Sequence, residues 1–128
     1  MILPVISIRQ PWPHAIFRLG KNVENRKWPI PEEMLKTRIL IHAGKQVDKE
    51  ALLYLRTNGD DTIDDLTIGG IVGIITFDRC TQNNTSQWAE PELYHWNIQR
   101  AAPVRFFPCK GTLGFFDVDY PYELPAGW

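Results

Sequence analysis

Gly20-Lys21-Asn22-Val23-Glu24-Asn25-Arg26-Lys27-Trp28 is a short stretch crowded with charge. It follows a segment, about Pro13 to Leu19, that has the spacing of a short helix. Trp12, Ile16 and Leu19 recur at helical intervals, and Gly20 stands where a left-handed residue commonly ends a helix. Asn22 to Trp28 then reads as extended. Alternate residues of a strand share a face, so Glu24, Arg26 and Trp28 are expected to point the same way. The pattern predicts a helix that turns directly into a strand bearing a polar face.

On either side the chain continues in short elements. Val5 to Arg9 reads as the first strand. Pro31 to Lys36 reads as one helical turn and Arg38 to Ala43 as a strand. Asp48 is placed to cap a helix that turns Ala51, Leu52 and Leu55 inward and ends at Asn58-Gly59. The acidic segment Asp60 to Asp65 reads as a solvated loop, because the spacing and closing Glu of a calcium-binding EF-hand are missing. Ile68 to Cys80 reads as a long apolar strand, with a bulge or close backbone approach at Gly69-Gly70 and Gly73. Thr81 to Glu92 is a loop. Trp96 to Phe107 and Thr112 to Val118 are further strands, and the aromatic tail from Asp119 is expected to pack over one end. Strands and helices do not alternate strictly, which argues against a parallel doubly wound sheet. The expected class is α+β: a mixed, largely antiparallel β-barrel with two or three flanking helices, formed as one domain over residues 1–128.

The chain has 128 residues, 44% of them hydrophobic, which is enough for a self-sufficient core and unlike a disordered composition. A formal net charge of -1 excludes a broad basic face for gripping nucleic acid, but not a local basic pocket. Neither Cys80 nor Cys109 lies in a CxxC pair or near a His/Cys cluster, so no metal site is expected; they read as buried or free thiols, with a disulfide between them left open by the sequence. The opening Met1-Ile2-Leu3-Pro4-Val5 has no basic segment leading into a long apolar one, and no apolar run reaches membrane-spanning length. A cytoplasmic protein with no membrane association is therefore expected.

Three stretches carry more polar function than a plain fold needs: Ser7-Ile8-Arg9-Gln10-Pro11-Trp12, the charged segment Gly20 to Trp28, and Ile41-His42-Ala43-Gly44-Lys45. Lys21, Glu24 and Arg26 match the Lys-x-x-Glu-x-Arg motif of the ASCH family, which the chain resembles. The Ile-Arg-Gln-Pro-Trp opening is similar to that of a branch found in bacteria and phages. So are the Ile-His-Ala-Gly-Lys strand, the segment Tyr94-His95-Trp96 and the turn Cys109-Lys110-Gly111. The likeness runs from about Val5 to Asp119. In the usual pattern a Gly stands two residues before the Lys; here Leu19 holds that place and Gly20 directly precedes Lys21.

The resemblance implies a PUA-like β-barrel and a pocket that meets RNA or a nucleotide-like ligand, with no cofactor. Some members of the family are enzymes, one type removing the acetyl group of N4-acetylcytidine and another cleaving RNA. The amidohydrolase type uses the motif Lys catalytically but has Thr where this chain has Glu24. Lys21 and Glu24 are thus the candidate catalytic residues. The ligand-binding candidates are Ser7, Gln10, Trp12, Arg26, Trp28, His42, Lys45, Trp96 and Lys110.

Physical chemistry supports these assignments and supplies rivals. A guanidinium suits bidentate contact with phosphate or carboxylate, yet Glu24 and Arg26 could equally be a structural pair at the barrel mouth. A desolvated lysine can serve as base or nucleophile. Tryptophan faces can stack on bases, although Trp12 and Trp88 also suit a core. His42 reads as a satisfied strand histidine or as a pocket residue. Ser7 lacks the Gly-x-Ser-x-Gly setting of a nucleophile elbow, so a serine nucleophile is not expected. Three functions stay open: a binding module for RNA, a nucleotide or a modified nucleoside; a hydrolase acting on a nucleoside amide or on RNA; and a protein-interaction domain using Tyr120, Tyr122 and Trp128.

Overall fold

The computed structural model describes residues 1–58 and 66–128; the expected acidic loop, Asp60 to Asp65, lies outside the described residues. Six strands form one mixed sheet: β1 (Ile2–Ile8), β2 (Val23–Arg26), β3 (Ile39–Ala43), β4 (Gly70–Thr81), β5 (Tyr94–Pro108) and β6 (Phe115–Asp119). Two helices, α1 (Trp12–Arg18) and α2 (Lys49–Thr57), and a 3-10 turn at Glu32–Met34 complete the described elements. Asp48 caps α2 as expected, its carboxylate accepting from the Ala51 backbone N–H at 3.1 Å.

The strands lie in the order β2-β5-β4-β3-β1-β6, and among them only β1 and β3 run parallel. The largely antiparallel expectation therefore holds, whereas the closed barrel does not. β2 and β6 end the strand order, and the sheet does not close between them. Among the described residues β2 pairs only with β5 and β6 only with β1, so no backbone ladder crosses the seam between them. Side chains span it instead. Trp96 of β5 stacks on Phe115 of β6 with ring centroids 6.0 Å apart, and Arg26 of β2 reaches the Ser7 carbonyl of β1 at 3.0 Å.

The curvature comes from β4 and β5, whose pairing shifts register at three places: Ile71/Gly73, Thr76/Phe77 and Phe77/Arg79. Each irregularity bends the ribbon and increases its twist. Strand alternation sorts the apolar residues onto two faces. Ile6, Ile8, Ile39, Ile41, Ile75, Phe77 and Trp96 share one core; Leu3, Val5, Leu40, Ile71 and Ile74 share the other. The free thiols divide likewise, Cys80 against the first core and Cys109 against the second.

The C-terminal tail packs along the second face of the sheet rather than over a barrel end. Tyr120, Tyr122, Leu124 and Trp128 join that core. The Arg100 guanidinium lies 3.7 Å from the Trp128 ring centroid, and Arg38 donates to the Trp128 carbonyl at 2.8 Å. Helix α1 packs between the sheet and α2: Ile16 enters the first core, while Ala15 meets Leu55.

The glycine expected to allow close approach does so at Gly73. A β-carbon there would stand 2.0 Å from Cζ of Phe17 on α1 and 3.0 Å from the Ala102 carbonyl oxygen. Gly73→Ala is therefore expected to cost about 1–3 kcal/mol through overpacking. Urea unfolding should show a lower midpoint with an unchanged slope, and an unchanged midpoint would contradict this packing.

Candidate functional site

The chain turns from α1 into β2 over Leu19 and Gly20. The backbone N–H groups of Leu19 and Lys21 both donate to the Ala15 carbonyl, at 2.9 and 3.1 Å. Gly20 takes a φ of +76°, the left-handed conformation that ends the helix. The left-handed residue of the turn is therefore Gly20, directly before Lys21, and not Leu19. This delivers Lys21, only 4% exposed, to the start of β2.

Antiparallel pairing sets Glu24 opposite Trp96 and Arg26 opposite Tyr94. Lys21 Nζ lies 3.3 Å from Glu24 Oε1, and Arg26 Nη2 lies 3.1 Å from Glu24 Oε2. Lys21 also donates to the Val23 carbonyl, and its ammonium stands 5.4 Å from the Trp12 ring centroid. Arg26 stands 5.6 Å from the Trp96 ring centroid. One buried carboxylate therefore holds two cations and leaves the triad with an excess positive charge. Each oxygen takes one partner, an arrangement that meets the hydrogen-bonding needs of a buried carboxylate.

A second cluster forms where β1 and β3 end side by side. Ser7 and His42 are directly paired across these parallel strands. Ser7 Oγ lies 3.0 Å from His42 Nδ1, and His42 Nε2 lies 2.8 Å from the Cys109 carbonyl oxygen. Gly111 covers the pair so closely that a β-carbon would stand 2.6 Å from Ser7 Oγ.

A third part is the loop between β4 and β5. Asn25 donates to the Trp88 carbonyl at 2.9 Å and accepts from the Glu90 N–H at 3.0 Å. His95 binds the same loop with both ring nitrogens, Nδ1 accepting from the Asn84 N–H at 3.1 Å and Nε2 donating to the Glu90 carbonyl at 2.6 Å. These bonds fix Trp88 at the rim.

The three parts enclose an open cavity of about 1290 Å³. Of the predicted residues, Ser7, Trp12, Lys21, Glu24, Arg26, His42, Lys45 and Lys110 line it. Gln10, Trp28 and Trp96 do not. Gln10 is buried elsewhere, donating to the Thr67 carbonyl at 2.9 Å and accepting from the His14 N–H at 3.2 Å. Trp28 lies beyond the end of β2, 60% exposed, so it does not share the face of Glu24 and Arg26 in a strand. Trp96 is 1% exposed and belongs to the core, where its Nε1–H donates to the Trp28 carbonyl.

Trp88, whose type suits a core, packs against the Ala15 and Leu55 cluster and also lines the cavity together with Arg9, Glu90 and Leu113. Its placement depends on contacts with Asn25, distant in sequence, and no local pattern announces it. Cys109 also lines the cavity, but burial pushes its thiol pKa up, against a smaller opposing effect of a backbone hydrogen bond at Ile71. Among the described residues no group of three or more His, Cys, Asp or Glu is placed to hold a metal ion.

Comparison with known proteins gives one family. The ASCH domain model matches residues 6–108, a span that includes all of the triad and the Ser7–His42 pair. No curated protein matches the chain.

Two outcomes follow from this geometry. Glu24→Ala leaves the Lys21 ammonium buried without its carboxylate and is expected to cost about 3–5 kcal/mol; chemical denaturation measures it, and a cost near zero would show the triad to be dispensable to the fold. The raised Cys109 pKa lowers its thiolate fraction at any given pH. Its iodoacetamide alkylation should therefore be slow at neutral pH and rise steeply only above the range of an ordinary thiol, as peptide mass spectrometry would show.

Proposed function

The chain belongs to the ASCH domain family, and we propose that its cavity takes up an anionic, base-bearing ligand: a nucleotide or the end of a single-stranded RNA. Membership of the family supports an RNA-binding or related function. The observation that carries the finer reading is the cavity's charge. Arg9, Lys21, Arg26, Lys45 and Lys110 line it against Glu24 and Glu90, in a chain whose net charge is -1. Positive charge gathered in one hollow of an otherwise acidic molecule suits a compact phosphate-bearing ligand better than a long duplex track.

The aromatic rim suits the other half of such a ligand. Trp12 and Trp88 both line the cavity, and stacking on an aromatic face is worth about 1–3 kcal/mol per base. Lys45 and Lys110 are exposed, placed to meet phosphate, while Arg26 is held by Glu24 and the Ser7 carbonyl. No helix among the described residues is long and apolar enough to cross a membrane.

One observation favours a second reading, hydrolysis of a modified nucleoside amide. Lys21 is buried beside Glu24 and yet lines the cavity. In that reading Lys21 would be the base or nucleophile, Glu24 would move the proton, and Arg26 would face a developing oxyanion. The residues on which the protein-interaction reading rests, Tyr120, Tyr122 and Trp128, pack with the second core and do not line the cavity.

Titration with adenosine, AMP and a short single-stranded RNA, read by tryptophan fluorescence, tests the binding proposal. AMP and RNA should bind more tightly than adenosine. Lys45→Ala and Lys110→Ala should each weaken binding and reduce the slope of log K against log salt by about one. Equal affinity for adenosine and AMP, or no binding of any of the three, would refute it. Mass-spectrometric analysis of a panel of N-acylated nucleosides, with the parent protein and Lys21→Ala, tests the hydrolytic reading; a product lost in Lys21→Ala would establish it.

A further inference from the structure

We propose that Ser7 and His42 form a nucleophile–base pair, and that the cavity can cleave a carboxylic ester carried on an anionic molecule by way of an acyl-serine. The starting point is the hydrogen-bonding inventory of the imidazole. His42 Nε2 lies 2.8 Å from the Cys109 carbonyl oxygen. A carbonyl can only accept, so Nε2 must carry a proton. In the neutral ring Nδ1 then has the lone pair, and the contact with Ser7 Oγ at 3.0 Å is a bond donated by the serine hydroxyl.

This is the arrangement of an activated hydroxyl: a nucleophile within hydrogen-bond reach of a base, with the base held in one tautomer by a third group. Here a backbone carbonyl takes the place that a carboxylate often fills. His42 is 3% exposed, so its ring is held by its surroundings, with the Phe116 ring centroid 6.0 Å away. Ser7 is half-buried and lines the cavity. Arg26 donates to the Ser7 carbonyl at 3.0 Å, which brings a cation to the same residue. The missing nucleophile elbow does not weigh against this site. An elbow serves to expose a serine at the top of a strand–turn–helix unit, whereas Ser7 reaches its base from the neighbouring strand.

The reaction balances without a cofactor. Ser7 Oγ bonds to the ester carbonyl carbon as Nδ1 of His42 takes its proton. The carbon–oxygen bond to the leaving alcohol breaks, and that alkoxide departs with the proton. Water then adds to the acyl-serine, passing a proton to Nδ1. The bond from carbon to Oγ breaks, the proton returns to Oγ, and a carboxylic acid is released. The positive charge of Arg26, bonded to the Ser7 carbonyl, lies near the attacking residue and favours the oxyanion that develops in each half. The anionic character of the substrate rests on the proposed binding of an anionic ligand; the chemistry of the pair does not.

An uncharged fluorophosphonate tests the pair. Attack by Ser7 would form an oxygen–phosphorus bond, expel fluoride and leave the hydroxyl proton on His42. The expected result is one adduct per chain, mapped to Ser7 by peptide mass spectrometry of the parent protein. Labelling should be absent in Ser7→Ala and at least about 100-fold slower in His42→Gln, as expected for loss of a general base. No adduct on the parent chain, an adduct at another residue, or equal rates in parent and His42→Gln would overturn the proposal. Mapping on the parent chain gives a result that does not depend on how well either variant folds, and nucleotide titration of the same preparation reads the binding proposal separately.

Discussion

Trp96 connects the parts of this molecule that the backbone leaves unjoined. Its ring stacks on Phe115 across the open seam of the sheet, meets Phe77 edge-on at 5.6 Å, and supports Arg26 from within. Its Nε1–H satisfies the Trp28 carbonyl just beyond the end of β2. Across the open seam of this sheet the contact is made by one buried aromatic rather than by a ladder. Each such ring pair is worth about 0.5–1.5 kcal/mol beyond the area it buries. The curvature that brings β5 and β6 within reach comes from the register shifts in β4 and β5, so the bulges and the tryptophan depend on each other.

The charges of β2 lie directly against this aromatic wall. Burying Lys21 and Glu24 is costly unless each polar atom finds a partner, and among the described residues none of the buried side-chain nitrogen and oxygen atoms is left without one. The consequence is that the triad serves structure and site together. Glu24 neutralises the interior cost of Lys21, while the second cation, Arg26, ties β2 to β1 and keeps the cavity positive. Function in this pocket is therefore hard to separate from folding by removing Glu24, and easier to separate at the exposed Lys45 and Lys110.

The cavity also owes its form to loops that are anchored rather than merely adjacent. Asn25 and His95 hold the segment that presents Trp88, and His42 holds the segment that presents Lys110 and Gly111. His95 commits both ring nitrogens to backbone groups, and His42 commits one. The walls of this hollow are already positioned, which would lower the ordering cost of taking up the proposed ligand.

How much of this is legible from residue order divides along contact range. The turn at Gly20, the cap at Asp48, the alternation of the strands and the pairing of Arg26 with Glu24 all involve residues a few positions apart, and local periodicity reveals such neighbours. The open seam in place of a barrel, the course of the tail and the positions of Gln10, Trp28 and Trp96 depart from what residue order suggests, for the opposite reason. Each depends on partners tens of residues away, brought together by strand register and by the bending of β4 and β5. Ser7 and His42 show the division most sharply: residue type and spacing mark both as polar strand positions, but only the parallel register of β1 and β3 sets hydroxyl against imidazole, because a one-residue slip in that register would send one of them to the other face of the sheet.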